Sequence, residues 1–243
     1  MKTIRSTIFL FSRLNQYLKM TQFSRMALFL ILAGHTLYMN GQGVRFGIFI
    51  DPQVSWMASD NKVVQNDGSR IGLNFGLEVH KYFADNYSFT TGVSLNNQGG
   101  KLTYDDPLPF RIQDQTDTLE AGTTITYKLQ YVTIPLGLTL KTNEIGYMTY
   151  FAQLGIDPQI NIKATGDSDS DRLDGDKIKD EVNLFNIGYH VGLGMEYSLG
   201  GNTAVVVGII YKNLFLDITK DYTDQPEDRV ILHNIAIRIG LNF

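Results

Sequence analysis

Apolar and polar side chains alternate along most of the chain beyond residue 43. Between Ile71 and Val79, for example, five apolar residues alternate with Gly, Asn, Gly and Glu. A period of two is the signature of a β-strand whose two faces meet different surroundings, and no convincing helical period is found there. The pattern predicts eight strands, at about residues 44–57, 70–83, 87–97, 123–141, 147–163, 184–198, 203–216 and 233–243.

The fourth predicted strand changes phase part-way along. Its apolar residues occupy odd positions from Ile125 to Tyr131 and even positions from Val132 to Leu140. A one-residue slip within a strand is what a β-bulge produces, and Pro135, which cannot donate a backbone hydrogen bond, is close by. We therefore expect a bulge in this strand, which would keep both apolar sets on one face.

The connections between the predicted strands alternate between long and short. The second, fourth and sixth strands are followed by only three to five residues, whereas the other connections are long and polar. All short turns therefore lie at one end of the structure and all long loops at the other, as in an antiparallel up-and-down barrel. The long connections are residues 58–69, 98–122, 164–183 and 217–228.

The alternation by itself fits two kinds of barrel. A lipocalin-like barrel has its apolar face inside and its polar face in water, and a transmembrane barrel has the reverse. Eight strands enclose a narrow interior, which rows of Ile, Leu, Phe and Tyr from every strand would overfill. The opposite face carries Gly, Ser, Asn, Glu, His and Arg, which fit inside. The sequence therefore predicts an all-β, eight-stranded antiparallel up-and-down transmembrane β-barrel.

Aromatic residues lie near both ends of the predicted strands. Two aromatic girdles are expected where a transmembrane barrel meets the two membrane interfaces, although aromatic residues are common in any strand and could form a core. The residues near the short turns are Phe83, Tyr87, Tyr147, Tyr150, Tyr197 and Phe243, and those near the long loops are Trp56, Tyr127, Tyr131, Tyr211 and Phe215.

Residues 1–42 have the composition of an export signal. They contain five basic and no acidic residues, and residues 26–38 form an apolar run that is too short to span a bilayer comfortably. We predict that residues 1–42 are a signal peptide, with Met20 as an alternative start, and that 43–243 form the barrel. A membrane anchor is the competing interpretation. The remainder holds 16 of the 21 basic residues and all 25 acidic ones, which argues against nucleic-acid binding.

Two short motifs resemble a known family. Residues 131–136, Tyr-Val-Thr-Ile-Pro-Leu, resemble the Tyr-x-x-Ile-Pro-Leu strand of PorT-family outer-membrane barrels of Bacteroidetes. Residues 192–197, Gly-Leu-Gly-Met-Glu-Tyr, resemble the Gly-x-Gly-x-Glu-Tyr strand of the same family. The resemblance covers about residues 44–243. It implies an association with type IX protein secretion or gliding, and it brings no catalytic motif with it.

Charged residues and histidines occur on the inward face of the predicted strands. Because buried charges need partners, we predict a network of ion pairs that fills and stiffens the barrel lumen. A proton or solute path through the lumen is the alternative. The residues predicted to point inward are Arg45, Asp51, Glu78, His80, His190, Glu196 and Arg238.

An acidic run at residues 167–171 invites a calcium-site hypothesis. An EF-hand loop counted from Asp167 needs Gly at its sixth position and Glu at its twelfth. The chain has Arg172 and Ile178 at those positions, so the run is interpreted as a solvated acidic loop. We expect no metal and no cofactor.

A lipid hydrolase is the enzyme alternative, and it would need a Ser–His pair near the long loops. His233 lies there, but its neighbours on the same face of the strand, Ile231 and Ile235, supply no hydroxyl. The chain also has no cysteine, which excludes a Cys nucleophile and disulfides. We therefore expect a protein that is not an enzyme.

The last strand alternates up to Phe243, and this suggests how the barrel closes and assembles. We predict that it pairs with the first strand. By resemblance to outer-membrane proteins in general, a terminal aromatic residue is the signal read by the barrel-assembly machinery.

Together these features predict a multi-pass outer-membrane protein with periplasmic termini. The family resemblance implies that it acts as a non-enzymatic accessory of protein secretion. A loop-based adhesin or ligand-binding barrel is the alternative, and an outer-membrane lipid-modifying enzyme is less favoured. The expected partners are outer-membrane lipids and lipopolysaccharide, the barrel-assembly machinery and other secretion-system proteins.

Overall fold

The computed structural model describes residues 43–112, 115–170, 173–220, 222, 223, 225 and 228–243. The predicted signal peptide lies outside the described residues. The elements are β1 (Val44–Ser59), β2 (Val64–Ala84), β3 (Tyr87–Tyr104), β4 (Leu108–Ile112), β5 (Gln115–Leu119), β6 (Thr123–Thr133), β7 (Leu136–Lys141), β8 (Met148–Ser168), β9 (Asp174–Lys177), the 3₁₀ helix η1 (Lys179–Glu181), β10 (Phe185–Gly200), β11 (Thr203–Leu214) and β12 (Val230–Asn242). Within these ranges no helix is long and apolar enough to cross a membrane.

The strands form a closed antiparallel ring with eight positions. Around the ring the order is β12, β1, β2, β3, β6 followed by β7, β8, β10 and β11, and β11 pairs again with β12. β6 and β7 share one position, since β3 pairs with β7 near the short turns and with β6 nearer the long loops. The predicted eight-stranded up-and-down topology is confirmed.

The ring closes between the first and last strands. The backbone N–H of Phe46 donates to the carbonyl of Phe243 at 2.9 Å, and the N–H of Phe243 donates back at 2.8 Å. The two phenyl rings also stack, with centroids 6.4 Å apart. This pairing leaves neither β1 nor β12 with an open edge, as a sheet in lipid requires.

Several strands extend further toward the long loops than the sequence suggests. β2 already begins at Val64, and β3 and β8 continue to Tyr104 and Ser168. The predicted loops 98–122 and 164–183 therefore contain strand ends, the β4–β5 hairpin, β9 and η1. These segments are ordered because their few apolar residues, such as Phe110, are buried together.

The predicted bulge in the fourth strand is wrong. Ile125, Tyr127, Leu129 and Tyr131 are all fully buried and point into the barrel, and the odd positions continue inward at Thr133 and Thr139. The odd positions point inward along the whole strand, and what changes along it is the environment outside the barrel. A register shift does occur, but in the partner β8: Gln130 faces Lys163 and Tyr131 faces Asn161, so Ile162 is the additional residue. Pro135 lies in the break between β6 and β7.

Two regions of opposite polarity result. In the lower region, next to the short turns, apolar side chains point outward and form what we call the apolar band. In the upper region, next to the long loops, apolar side chains point inward and form what we call the loop-end core. The apolar band includes Phe46, Ile48, Ile50, Val54, Phe75, Leu77, Phe89, Val93, Leu136, Leu154, Ile156, Val191, Leu193, Val207, Ile209, Ile235, Ile237 and Ile239. The loop-end core includes Met57, Val64, Leu102, Tyr104, Leu108, Phe110, Leu119, Ile125, Tyr127, Leu129, Tyr131, Leu173, Ile178, Val182, Leu214, Ile218, Val230 and Leu232.

The girdle predictions have mixed outcomes. All six aromatic residues predicted near the short turns point outward and are exposed. Near the long loops, Trp56 and Tyr211 are partly exposed and 37% of the Phe215 surface is exposed. Tyr127 and Tyr131 are not part of a girdle, because they belong to the loop-end core.

Candidate functional site

The lumen contains a central charge cluster around Arg238. This residue projects inward from β12, and its guanidinium forms a two-pronged pair with Asp51 of β1, at 3.0 Å from Nε and 2.9 Å from Nη2. A third donor, Nη1, bonds the Glu78 carboxylate on β2 at 2.5 Å. Phe49 lies beneath the guanidinium, with its ring centre 4.1 Å from Cζ. This contact explains why β1 carries an apolar residue on its polar face.

The central cluster continues along β2 and β3. Asn74 donates to Asp51 at 3.0 Å, and Nε2 of His80 lies 3.6 Å from the Glu78 carboxylate. The other imidazole nitrogen of His80 bonds the Thr90 hydroxyl at 3.0 Å. Because Asp51, Glu78 and Arg238 are all almost fully buried, each of these charges depends on the others for compensation.

A second cluster lies below it, near the short turns. Lys141 of β7 pairs with Glu196 of β10 at 2.6 Å and donates to the Tyr82 hydroxyl at 2.5 Å. Asn242 of β12 donates to the same Glu196 carboxylate at 2.8 Å. Arg45 does not join a carboxylate network among the described residues. It is half-buried over the face of the Tyr82 ring, 5.4 Å from its centre, so its contact with this cluster is through the aromatic ring.

A third cluster joins β8, β10 and β11. His190 bonds Asp157 through Nδ1 at 2.9 Å, and Lys212 lies 3.9 Å from the other carboxylate oxygen. Glycines on neighbouring strands make room for the imidazole: a Cβ on Gly155 would lie 2.6 Å from Cε1 of His190.

Six of the seven predicted inward residues therefore belong to ion-pair clusters. Sequence reasoning missed Asp157 and Lys141 as members. Strand parity could have found both, because Asp157 follows the outward-facing Ile156 and Lys141 follows the outward-facing Leu140.

Amide side chains fill the lumen above the charges. Gln53 donates to the Asn96 side chain at 2.6 Å, and Asn96 and Asn234 each donate to the side-chain Oε1 of Gln98 at 3.1 Å. This layer separates the ion pairs from the loop-end core. Two internal cavities remain among the charged groups, of about 20 Å³ and about 10 Å³. Each has room for about one water molecule, so neither is a passage for solutes.

The loop-end core closes the long-loop end of the barrel. Phe110 of the β4–β5 hairpin packs edge-on against Tyr127 of β6, with ring centres 6.4 Å apart. The hydroxyls of Tyr127 and Tyr104 bond each other at 2.6 Å. Burial raises the pKa of both hydroxyls well above its usual value, so both stay protonated at any physiological pH.

A set of polar contacts, which we call the latch, connects three loops over this core. Glu181 of η1 accepts from the backbone N–H of Arg111 at 2.7 Å and from the Gln225 side chain at 3.0 Å. The Arg111 guanidinium lies over the Tyr222 ring at 3.4 Å, and the Tyr222 hydroxyl donates to the carbonyl of Asp180 at 2.7 Å. Burial raises the pKa of the Glu181 carboxyl, and the hydrogen bonds from Gln225 and Arg111 offset only part of that effect.

The alternatives for metal and enzyme chemistry can be compared with this geometry. Within the described part of the chain, no group of three or more acidic or histidine side chains is arranged to hold a metal ion. His233 does meet a hydroxyl, since Tyr211 on the adjacent strand lies 2.9 Å from Nδ1, a cross-strand contact that its same-face neighbours could not predict. Among the described residues no carboxylate bonds this imidazole.

Comparison with known proteins places the chain in a family. The family model described as an outer membrane protein beta-barrel domain matches residues 39–177, which is more than half of the chain. The protein belongs to this family. It is therefore an outer-membrane β-barrel protein, and its apolar band faces membrane lipid. No curated protein matches the chain at a significant level.

The chain is similar to several solved structures of small outer-membrane barrels. Ail, the attachment invasion locus protein of Yersinia pestis, is 15% identical, with a TM-score of 0.40 over 83% of this chain and 100% of Ail. Neisserial surface protein A is 14% identical, with a TM-score of 0.45 over 83% of this chain and 98% of its own. OprG from Pseudomonas aeruginosa is 13% identical, with a TM-score of 0.43 over 84% and 98%.

Proposed function

We propose that this barrel is a non-enzymatic, non-conducting scaffold that acts through its loop end as an accessory of protein secretion. The finer assignment, to a PorT-like component of a type IX system in Bacteroidetes, rests on the two motifs at residues 131–136 and 192–197. In this proposal the termini are periplasmic and the long loops lie at the cell surface. The partners are other secretion proteins and, during biogenesis, the barrel-assembly machinery acting on Phe243.

The filling of the lumen is the observation that carries the proposal. Three charge clusters, an amide layer and the loop-end core follow one another along the barrel axis. A narrow eight-stranded barrel filled in this way leaves no route for a solute among the described residues. The function of the barrel then depends on one of its outer surfaces.

The loop end supplies the most elaborate of those surfaces. The β4–β5 hairpin, β9 and η1 are held together by a buried apolar core and by the latch, so their exposed faces keep a fixed arrangement. A preordered surface loses less conformational entropy on binding than a mobile loop does. This favours a role in docking a macromolecule.

Planar-bilayer recording tests the non-conducting part of the proposal. The purified barrel should give no discrete current steps under conditions in which a general porin gives them. Regular steps from the wild-type barrel, abolished by heat unfolding, would contradict a closed lumen.

A deletion strain separates secretion from the adhesin or ligand-binding alternative. Secretion predicts that exported cargo accumulates in the periplasm of the deletion strain. Complementation should fail when the exposed residues 116–118 of β5 are replaced by a Gly-Ser-Gly segment, and it should succeed with Ile209→Val, a conservative change in the apolar band. Normal cargo export with altered surface adhesion would favour the alternative instead.

A further inference from the structure

A cleft lies at the short-turn end of the barrel, the end opposite to the loop surface. It has a volume of about 290 Å³ and extends from the β2–β3 turn, across the start of β1, to the β10–β11 turn. The residues that line it include Val44, Arg45, Tyr82, Ala84, Asp85 and Asn202. The structure therefore offers a ligand a second surface, remote from the long loops.

Arg45 is the cation of this cleft. Its guanidinium lies over the Tyr82 ring, 5.4 Å from the ring centre, and the side chain is half-buried. A guanidinium has five N–H donors in a planar fork. Among the described residues no carboxylate pairs with Arg45, and none of its five donors has a hydrogen-bond acceptor. These donors are therefore available to a ligand.

The ring beneath this guanidinium is held in place by the second lumenal cluster. Tyr82 is almost fully buried, and its hydroxyl accepts from Lys141 at 2.5 Å. Lys141 is fixed in turn by Glu196 at 2.6 Å. A guanidinium that already rests on a fixed ring loses less conformational freedom when it binds. Arg45 is thus preordered to bind a planar anion through two parallel hydrogen bonds.

The rest of the lining is an amide and small apolar side chains. The Asn202 side chain can both donate and accept, and within the described ranges it has no hydrogen-bond partner. Val44 and Ala84 add apolar surface. A cation, an amide and small apolar groups complement the end of a peptide chain, which carries a carboxylate, a peptide group and a side chain.

The charge of the cleft favours an anion with a single charge. Asp85, on the β2–β3 turn, is the carboxylate in its lining, so one basic and one acidic side chain border the same space. A dianion such as sulfate is attracted by Arg45 and repelled more strongly by Asp85. A peptide carboxylate carries only one negative charge, so this repulsion is smaller.

We propose that this cleft binds the free carboxylate at the end of a peptide chain. Arg45 holds the two carboxylate oxygens, Asn202 bonds the preceding peptide group, and Val44 contacts a small terminal side chain. The proposal goes beyond the secretion role of the loop end, because the site lies at the other end of the barrel and its chemistry depends on its own residues.

Nuclear magnetic resonance of the full barrel in an uncharged detergent tests the proposal. The backbone amide signals of Val44, Arg45 and Asn202 are followed while N-acetyl-alanyl-alanine is added at constant ionic strength. The same dipeptide with a C-terminal amide and, separately, sulfate serve as control probes. We expect saturable shifts with the free acid and binding of the amide that is weaker by about tenfold, because the amide lacks the charge that Arg45 binds.

Two variants of Arg45 test its assigned role. Arg45→Gln removes the charge and the fork of donors, so it should weaken binding of the free acid by about tenfold and leave binding of the amide unchanged. Arg45→Lys keeps the charge without the paired donors, and its affinity should lie between those of the wild type and Arg45→Gln. Arg70→Gln is the matched control, since Arg70 bonds the backbone carbonyl of Gln98 near the long loops, and it should change neither.

Four results would overturn the proposal. They are shifts that rise without saturation, equal binding of the acid and the amide, equal binding of the acid and sulfate, and unchanged binding of the acid by Arg45→Gln. Heat-modifiable gel mobility shows whether each variant is folded, and Arg45→Lys keeps the test decisive if Arg45→Gln does not fold.

Discussion

β12 and β6 both alternate apolar and polar residues, yet their apolar side chains point in opposite directions. On β12, Ile235, Ile237 and Ile239 point outward and about half of each surface is exposed, while Arg238 points inward. On β6, Ile125 and Tyr127 point inward and are fully buried, while the polar residues between them point outward. The first arrangement suits lipid outside and the second suits water outside. An alternating pattern therefore defines two faces, and the surrounding solvent decides which face is the core.

The two regions also differ in what holds them together. The lower region is stabilised inside by ion pairs, in which the loss of one partner leaves a buried charge. The upper region is stabilised by apolar packing, with isolated polar contacts such as the tyrosine pair and the latch. Substitutions should therefore cost most in the lower region, and the following predictions run from the largest expected effect to the smallest.

The largest effect is expected from Arg238→Leu. This change leaves the carboxylates of Asp51 and Glu78 buried without their shared cation, which costs about 3–5 kcal/mol for a buried pair broken on one side. The free energy of unfolding in urea, followed by heat-modifiable mobility, measures it. Arg45→Leu is the matched control and should cost less than about 1 kcal/mol, because Arg45 is half-buried over Tyr82. Equal costs for the two variants would refute the central cluster.

Tyr127→Phe should have a smaller effect, confined to the upper region. It removes one partner of the Tyr104–Tyr127 hydrogen bond and leaves the other hydroxyl buried, at a cost of about 1–3 kcal/mol. Hydrogen exchange in residues 98–104 and 123–131 should speed up, while exchange in β12 stays unchanged. Tyr147→Phe, on an exposed ring, is the control and should leave both regions unaltered. Faster exchange in β12 would mean that the two regions unfold as one.

The smallest effect is a pH dependence of the latch. Because burial raises the pKa of Glu181, the folded loop end holds more protons than the unfolded chain above the ordinary carboxyl pKa of about 4.3. The stabilisation that the protonated Glu181 carboxyl gives the loop end should be fully present below that pKa, and it should be lost as pH rises toward the raised value. Hydrogen-exchange protection of residues 108–119, corrected for intrinsic rates, should decrease accordingly. Glu181→Gln should flatten this slope and Asp106→Asn, at an exposed site, should keep it; a slope that survives Glu181→Gln would contradict the assignment.

Strand parity predicted much of the lower region and little of the upper one. Inward positions such as Glu78 and His190 follow from alternation, and both side chains are buried in the fold. Their pairing partners depend on the register between strands, which a single strand does not encode, so Lys212 with Asp157 emerged only from the fold. In the same way, the contact between Tyr211 and His233 joins two adjacent strands and depends on the register between them.

The upper region escaped prediction for a different reason. The segment at residues 98–122 is polar on average, and its few apolar residues, including Leu108 and Phe110, show no long period. They become a core only when η1 and β9 are brought over the barrel mouth. Along β6 and β7 the inward positions stay odd while the surroundings of the barrel change from water to lipid. This change moves the apolar residues from odd to even positions, which is the same sequence pattern that a β-bulge produces.

Cysteine scanning along β6 and β7 tests the inversion most directly, and the natural absence of cysteine makes every introduced thiol unique. The barrel in liposomes is treated with a charged, water-soluble maleimide and with an apolar one. We predict that thiols at 126 and 128 react with the water-soluble reagent, thiols at 136 and 140 react only with the apolar one, and thiols at 127 and 131 react with neither. Reaction of the thiols at 127 and 131 in place of those at 126 and 128, with 136 and 140 still reactive, would contradict the account and restore the bulge.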